Sequence, residues 1–538
     1  MTITDQRPDA AAARRAPRWA YAVAGVVSAL AAMGVGHVVA GLLYPPASPL
    51  LAVGSYVIDL APTPVKEWAV STFGNADKPV LIASVTVVSL VLAAAVGVLA
   101  RTKLRLALVL GAALILIGAV IAATRPTGRI VDAVPSLIAA ATMSGLLFLL
   151  HKRFLLSDAT SEEGTAEELP ESPTDHNARE TGALWAADRR KFLIAAAGTT
   201  AGAAALGFLG QRVGAPAAPS ITAKDLPKPT NSLAPLPAGL ETKYDGISKF
   251  VTPNDDFYRV DIALSVPRID QNTWQLTIDG DVDKPLTLSY ADLLEMPMIE
   301  KDITMTCVSN EVGGGYVGAA RWLGVPVREL LDQVGVGKGV DQILSSADDG
   351  ITISTPIQAL TDDRDALLAV AMNGEPLSPT HGFPVRLVTP GLFGFVGSTK
   401  WITSMTATTY AKESAYWTDR DWVIDAPVLT QSRIDTPRGL ETNPAGPTII
   451  GGVAWAQQRG ITKVEVRVDD GEWQEATLGP DAGIDYWRQW YIEWDATPGR
   501  HTLSSRATDT TGETQTDAKA TPFPSGATGW HSIVTMIA

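Results

Sequence analysis

The residues that could do chemistry are few, and the first is a cysteine without a partner. Cys307 is the one cysteine among 538 residues, which rules out an internal disulfide and any CxxC metal or haem-attachment motif. It closes an alternating stretch, EKDITMTC, and opens onto Val308, Ser309, Asn310, Glu311, Val312 and the glycines 313 to 315. A thiolate at a strand end beside a glycine-rich loop leaves one face accessible to a ligand. By residue type alone, a lone cysteine is more often a small buried hydrophobe. Of six histidines, only His37 lies inside a long apolar stretch and His151 at the end of another, near opposite membrane faces, so one haem cannot use both as axial ligands. HExxH, GxSxG and a GxGxxG set between strand and helix are absent, and in GVGKG a glycine stands where a phosphate loop needs Ser or Thr. Metalloprotease, serine hydrolase and nicotinamide chemistry therefore lack their signatures.

The elements that must position this chemistry fall into two halves. Hydrophobic residues make up 46% and charged residues 19%, and mean hydropathy is +0.13, so part of the chain is expected to be solvated by lipid. A net charge of −14 offers no footprint for nucleic acid. Four stretches, Trp19 to Leu43, Pro79 to Ala100, Leu104 to Ala123 and Ala133 to Leu150, each meet the requirement of about 20 apolar residues. Arg14, Arg15 and Arg18, then Arg101, Lys103 and Arg105, then Lys152 and Arg153 all fall on one side, which reads as cytoplasmic despite Arg125 and Arg129 opposite. Residues 1–153 are thus expected to be a four-helix transmembrane domain, with short interfacial helices between Tyr44 and Lys78.

Residues 154–188 read as an acidic cytoplasmic linker, too polar to bury a core. Arg189, Arg190, Lys191, Phe192 and Leu193 then begin a weakly hydrophobic Ala/Gly-rich run, so 189–213 is expected to be a fifth span whose start resembles a twin-arginine export signal. A basic anchor under the positive-inside rule would explain the charges but not RRKFL or the low hydrophobicity. An odd number of spans places everything beyond Val213 outside the cytoplasm, with 214–248 a Pro-rich tether and a loose peptidase-like site at 215–217. Beyond it, strands such as TWQLTIDG and a helical SYADLLEM predict mixed α and β structure.

In this half, TCVSNEVGG, ARWLGVPVRELL, MNGEPLSPTHGFPVRLVTPGLFG and STKW, in collinear order, resemble the sulfite oxidase family of molybdopterin oxidoreductases. The resemblance runs from about Lys249 to Ala538 and implies an α+β molybdopterin domain over 249–425. It implies that Cys307 ligates the metal, where a soft thiolate suits it, and that His381, Arg386, Ser398, Thr399 and Lys400 bind the pterin. Arginine and lysine fit a phosphate-bearing cofactor, as fork and point-charge donors. VTPNDDFYRVD resembles the family's entrance segment, placing Phe257, Tyr258 and Arg259 at the cofactor with Arg259 near the metal, and Asp348 is a further candidate contact. Two departures concern the substrate: Glu311 and Val312 stand where animal and plant sulfite oxidases carry anion-binding arginines, and Trp422 stands where they carry an active-site tyrosine.

From about Arg433, short strands at regular spacing predict a β-sandwich, and GVAWA, RGITKVEVRVDDGEWQEA and RATDTTG resemble the family's immunoglobulin-like dimerisation domain, expected over 426–538. Trp455, Trp473, Trp487, Trp490 and Trp494 are expected to be core and strand-pair aromatics. The functional expectation is a membrane-anchored molybdopterin oxidoreductase acting on a small extracytoplasmic substrate by oxygen-atom transfer or related redox chemistry. Without an intrinsic haem or iron–sulfur ligand set, a separate cytochrome, quinone or membrane redox protein is expected to carry the electrons. The resemblance also implies a homodimer. The alternative is a non-catalytic module of the same fold that serves assembly of a membrane complex.

Overall fold

The computed structural model describes residues 14–73, 76–125, 128–157, 176–216 and 219–538. The acidic stretch 158–175 and part of the 215–217 segment lie outside the described residues. The chain divides into two compact units, Met1–Ala215 with Ala263–Arg268, and Pro216–Ile262 with Ile269–Ala538.

The first unit is helical. Helices α1 (Arg18–Leu43), α2 (Pro49–Leu60), α3 (Thr63–Phe73), α4 (Asp77–Ala100), α5 (Leu104–Thr124), α6 (Val134–Leu150) and α7 (His176–Val213) follow in order. By length and composition, five stretches are able to cross a membrane: α1, α4, α5, Ile130–Leu155 and Arg189–Val213. Helix α1 packs on α4, α6 and α7. Backbone approach explains its glycines: a Cβ on Gly25 would strike the Ala93 carbonyl of α4, and one on Gly34 the Ala203 carbonyl of α7. Helix α7 begins at His176, so the expected linker already turns helical there and RRKFL lies within a continuous helix rather than at its start.

The second unit holds four sheets. Strands are β1 (Gln275–Gly280), β2 (Leu286–Ser289), β3 (Ile299–Thr306), β4 (Val317–Pro326), β5 (Gln342–Ala347), β6 (Thr352–Pro356), β7 (Leu367–Met372), β8 (Glu375–Pro376), β9 (Arg386–Val388) and β10 (Ile402–Thr408). One sheet has the order β8-β7-β4-β3 with β9 also on β7, and the other β2-β1-β10-β5-β6. Pairing is antiparallel except between β1 and β10. Ile278, Ile303, Trp322, Leu368 and Met405 belong to one core that draws on both sheets. Helix α8 (Tyr290–Glu295) is capped by the Ser289 hydroxyl accepting from Asp292 N–H. Helix α9 (Val327–Val334) buries Val327, Leu330, Leu331 and Val334 and ends at Gly335 in the left-handed conformation.

The C-terminal region is β-rich. Strands β11 (Gln431–Thr436), β12 (Thr442–Asn443), β13 (Gly446–Trp455), β14 (Ile461–Val468), β15 (Gln474–Glu475), β16 (Thr477–Leu478), β17 (Arg488–Ala496), β18 (Gly499–Asp509) and β19 (His531–Ile537) form sheets β11-β13-β17-β16 and β12-β19-β18-β14-β15. Ile450 and Trp490 of one sheet share a core with Val464, Leu503 and Ala507 of the other. Trp455, Trp487 and Trp490 are buried, whereas Trp473 is half-buried against Trp530.

The Pro-rich segment is not a free tether. Thr230 N–H donates to Met298 O at 2.8 Å, Asn231 Oδ1 accepts from Glu300 N–H at 2.7 Å, and Leu240 N–H donates to Gln489 Oε1 at 2.7 Å. The segment thereby satisfies backbone groups at the start of β3, a demand that composition does not reveal.

Candidate active site around Cys307

Strand β3 buries its last four residues and delivers Cys307 to the mouth of a tight loop. Cys307 N–H donates to Tyr316 O at 3.0 Å, Asn310 N–H to Cys307 O at 3.1 Å, and Tyr316 N–H to Asn310 Oδ1 at 2.8 Å. Gly313 takes a φ of +80°, which glycine adopts without strain. Cys307 is 8% exposed. Burial pushes its thiol pKa up, opposed by hydrogen bonds from the Ser309 N–H and hydroxyl and by the Lys400 charge.

A cluster of aromatic rings includes Tyr258, which lies within the field of this thiol. Phe257 follows the 3₁₀ turn Asn254–Asp256, stacks on Tyr258 at 5.3 Å and meets Trp322 and His381 edge-on at 5.7 and 5.8 Å. Burial, and secondarily Cys307, raises the Tyr258 pKa, so its hydroxyl stays protonated. His381 Nε2 lies 2.9 Å from Asn254 O, which fixes the neutral tautomer with its proton on Nε2. Burial and the Arg386 charge hold His381 down to about 4.

The cations sit deeper than their type prefers. Arg386, 6% exposed, donates from Nη1 to His381 O at 3.2 Å and from Nη2 to Ser398 Oγ at 2.7 Å, and its guanidinium lies 5.1 Å from the Trp322 ring centroid. Its Nε is buried without a hydrogen-bond partner, and burial lowers its pKa to about 10. Lys400 donates to Asp261 Oδ2 at 2.8 Å and Val260 O at 3.1 Å, and burial lowers it to about 8. Arg259, at 37% side-chain exposure, also pairs with Asp261, at 2.7 Å.

The sequence-based residues do not all converge. Phe257, Tyr258, Arg259, Cys307, His381, Arg386, Ser398 and Lys400 are linked by these contacts and charges. Thr399 instead turns into the core, its hydroxyl 2.6 Å from that of Ser345. Asp348 N–H donates to Trp401 O, while its neighbour Asp349 is the acid that burial drives up to about 6, within the fields of Lys400 and Asp261. Trp422 packs in a cage of Phe395, Trp417 and Phe523, and Glu311 is exposed. Asp261 and Ser309 were missed; the signal for Asp261 was its place two residues beyond Arg259 in FYRVD.

These groups suit an anionic cofactor with sulfur donors. A buried arginine keeps one donor unused, a lysine beside it is depressed by burial, and the thiol lies within the field of that lysine. Among the described residues no three His, Cys, Asp or Glu side chains gather as a metal-ligand group. A metal bound at Cys307 would therefore take its other ligands from outside the protein.

Residues 263–417 match the family model described as the oxidoreductase molybdopterin binding domain. That span holds Cys307, Asp348, His381, Arg386 and Ser398 to Lys400 but not Phe257 to Arg259. The mitochondrial sulfite oxidase of Homo sapiens is 30% identical over 304 residues, covering 47% of this chain and 55% of that protein. An inducible NADH nitrate reductase of Glycine max is 31% identical over 322 residues, 49% of this chain and 35% of that protein. The sulfite oxidase of Gallus gallus is 28% identical over 336 residues, 53% of this chain and 72% of that protein. Among solved structures, the sulfane dehydrogenase SoxCD from Paracoccus pantotrophus aligns over 54% of this chain and 82% of that chain, at 24% identity and a TM-score of 0.44. The chain thus carries a molybdopterin-binding oxidoreductase domain. That domain is similar to those of sulfite oxidases and nitrate reductases, and the chain spans about half the length of the mammalian relatives it matches.

Proposed function

We propose that this protein is a membrane-anchored molybdenum oxidoreductase whose catalytic unit faces away from the cytoplasm and acts on a small substrate. The observation that carries the reading is the convergence of a buried thiol, Cys307, with a buried arginine whose Nε has no partner, Arg386, and the depressed Lys400. When bound, the cofactor supplies two-electron redox chemistry coupled to oxygen-atom transfer. Cys307 is the metal's protein ligand. Arg386 and Lys400 bind the cofactor's anionic end, and His381, neutral and locked by Asn254 O, offers its other ring nitrogen as a fixed acceptor. Ser398 orients Arg386, and Asp261 keeps Arg259 and Lys400 together at the entrance. Arg259 is the half-exposed cation left to meet substrate or its oxygen. Tyr258 and Phe257 exclude water from the thiol face.

Glu311 at the exposed loop places negative charge where an anion such as sulfite would enter, which favours a neutral or cationic substrate. The five long apolar helices, the one-sided basic clusters and RRKFL support the anchored, exported arrangement, since a twin-arginine route carries folded domains. Residues 249–425 and 426–538 are assigned as catalytic and immunoglobulin-like dimerisation domains, with a separate redox protein or quinone as electron partner.

The test is metal content and activity measured together on membrane-purified protein. Near-stoichiometric molybdenum with turnover of a neutral substrate such as a sulfoxide or N-oxide is expected. A Cys307→Ala variant with full activity would overturn the assignment, and wild-type protein that keeps the pterin without any redox change would favour the assembly module.

A further inference from the structure

The loop after Cys307 is held from behind by the C-terminal β-sheets. Arg433 of β11 donates from Nη1 to Gly314 O at 2.9 Å. Its Nε pairs with Asp435 at 2.6 Å, and its Nη2 donates to Ser248 Oγ at 2.8 Å. Asp435 Oδ2 in turn accepts from Ser248 N–H at 3.0 Å, so the guanidinium is fixed on three sides. His531, the first residue of β19, lies against Gly313 so closely that a Cβ there would collide with the imidazole. Its Nδ1 accepts from Ile434 N–H at 2.9 Å, which puts the ring proton on Nε2, the edge turned to Gly313. Gly313 at positive φ and His531 above it therefore define each other: the turn has no side chain because the ring takes that space.

We propose that Arg433 and His531 are positioning residues for the active site, through which the C-terminal sheets set the conformation of the Glu311–Gly315 turn in front of Cys307. The turn is otherwise tied mainly by its own short bonds, Gly314 N–H to Glu311 O at 2.8 Å and the Asn310–Tyr316 pair. Short local bonds alone leave a glycine-rich loop many conformations, and two distant side chains select one. Glu311, exposed in that turn, takes its position from that selection. This inference rests on the reading of Cys307 as the metal ligand, but its structural core does not.

Hydrogen–deuterium exchange of the full-length protein tests it, read on the peptide spanning residues 308–316, with Arg433→Ala, Arg433→Lys and His531→Ala beside the wild type. A control, Arg459→Ala, removes a guanidinium of the same region that pairs with Asp509 at 2.9 Å and binds Val428 O, with no contact to the loop among its bonds. Arg433→Ala is expected to raise loop exchange at least about tenfold, as loss of a hydrogen bond to a charged group would, and His531→Ala, which removes the ring packed on Gly313, to raise it by a smaller but resolved amount. Arg433→Lys should recover part of the protection, and Arg459→Ala should leave the loop at the wild-type rate. A Gly313→Ala, His531→Ala double variant should be milder than Gly313→Ala alone, because the ring that the new methyl would strike is gone. Wild-type loop exchange in both Arg433→Ala and His531→Ala would overturn the proposal, as would equal loosening in Arg459→Ala. Molybdenum per chain and the Mo(V) electron paramagnetic resonance spectrum, recorded on the same samples, separate the two readings. Metal retained with an altered spectrum ties the clamp to the metal site, whereas metal-free wild-type protein would sink the Cys307 assignment and leave the exchange result standing.

Discussion

Replacing Arg386 with methionine should separate cofactor binding from folding, because the two depend on this side chain with opposite sign. Its guanidinium is held at about 10 rather than 12.5, chiefly by burial. At about 1.4 kcal/mol per tenfold change in proton affinity, the charge costs the cofactor-free fold about 3 kcal/mol. Against this, Arg386→Met forfeits the bonds to His381 O and Ser398 Oγ, about 1 kcal/mol each, and the contact with Trp322, about 1–2 kcal/mol. Ser398 keeps a partner, since its hydroxyl donates to Leu387 O at 2.8 Å. The cofactor-free variant should therefore unfold within about 1 kcal/mol of wild type, a shift of a few degrees at most. Loading should suffer, because a charge-assisted bond to the cofactor is worth about 1.5–3 kcal/mol, or roughly tenfold to a hundredfold in affinity. Differential scanning fluorimetry on protein from a cofactor-deficient host, with elemental analysis on protein from a competent one, reads both quantities. Loss of about 3–5 kcal/mol in the cofactor-free state would mean that Arg386 belongs to a structural ion network. Unchanged metal content would mean that it does not hold the cofactor. Either result refutes the reasoning.

Other expectations follow from the same geometry. Unliganded Lys400, at about 8, is charged below that pH and neutral above it, so reconstitution of cofactor-free protein should weaken as pH rises through 8 and flatten in Lys400→Met. Asp349 is raised to about 6 from 3.8, so the stability it lends is complete below its unfolded value and is lost as pH rises through about 6. Asp349→Asn should accordingly raise the melting temperature more at pH 7.5 than at pH 4.5, and an equal effect at both would contradict the burial argument. An alkaline phosphatase fusion at residue 220 should be active and one in the 154–188 segment inactive; the reverse pattern would invert the proposed topology.

Much of the helical unit was legible because a helix long and apolar enough to cross a membrane writes itself as a continuous apolar run: Leu104 to Ala123 was read and Leu104–Thr124 is the helix. Strands β1 and β3 were likewise visible in alternation. The docked segment before Lys249 was not, because Thr230 and Asn231 find their partners in Met298 and Glu300, some 70 residues on. Cys307, His381, Arg386 and Lys400 were reached through motif resemblance, since nothing in local periodicity brings them together. Resemblance locates positions but not side-chain directions. It named Thr399, whose hydroxyl turns to Ser345, and Asp348, whose neighbour Asp349 is the acid that burial perturbs. Asp261 escaped notice because a carboxylate's value here lies in the two cations it binds, Arg259 and Lys400, which are far apart in sequence.

The proposed role of Cys307 is to bind the metal of a cofactor held by Arg386 and Lys400. X-ray absorption at the molybdenum edge, on wild type and Cys307→Ser purified from membranes, tests it most directly. Molybdenum is expected in the wild type with one sulfur neighbour more than in the variant. Identical sulfur coordination in the two proteins, or a folded wild type without molybdenum from a competent host, would contradict it.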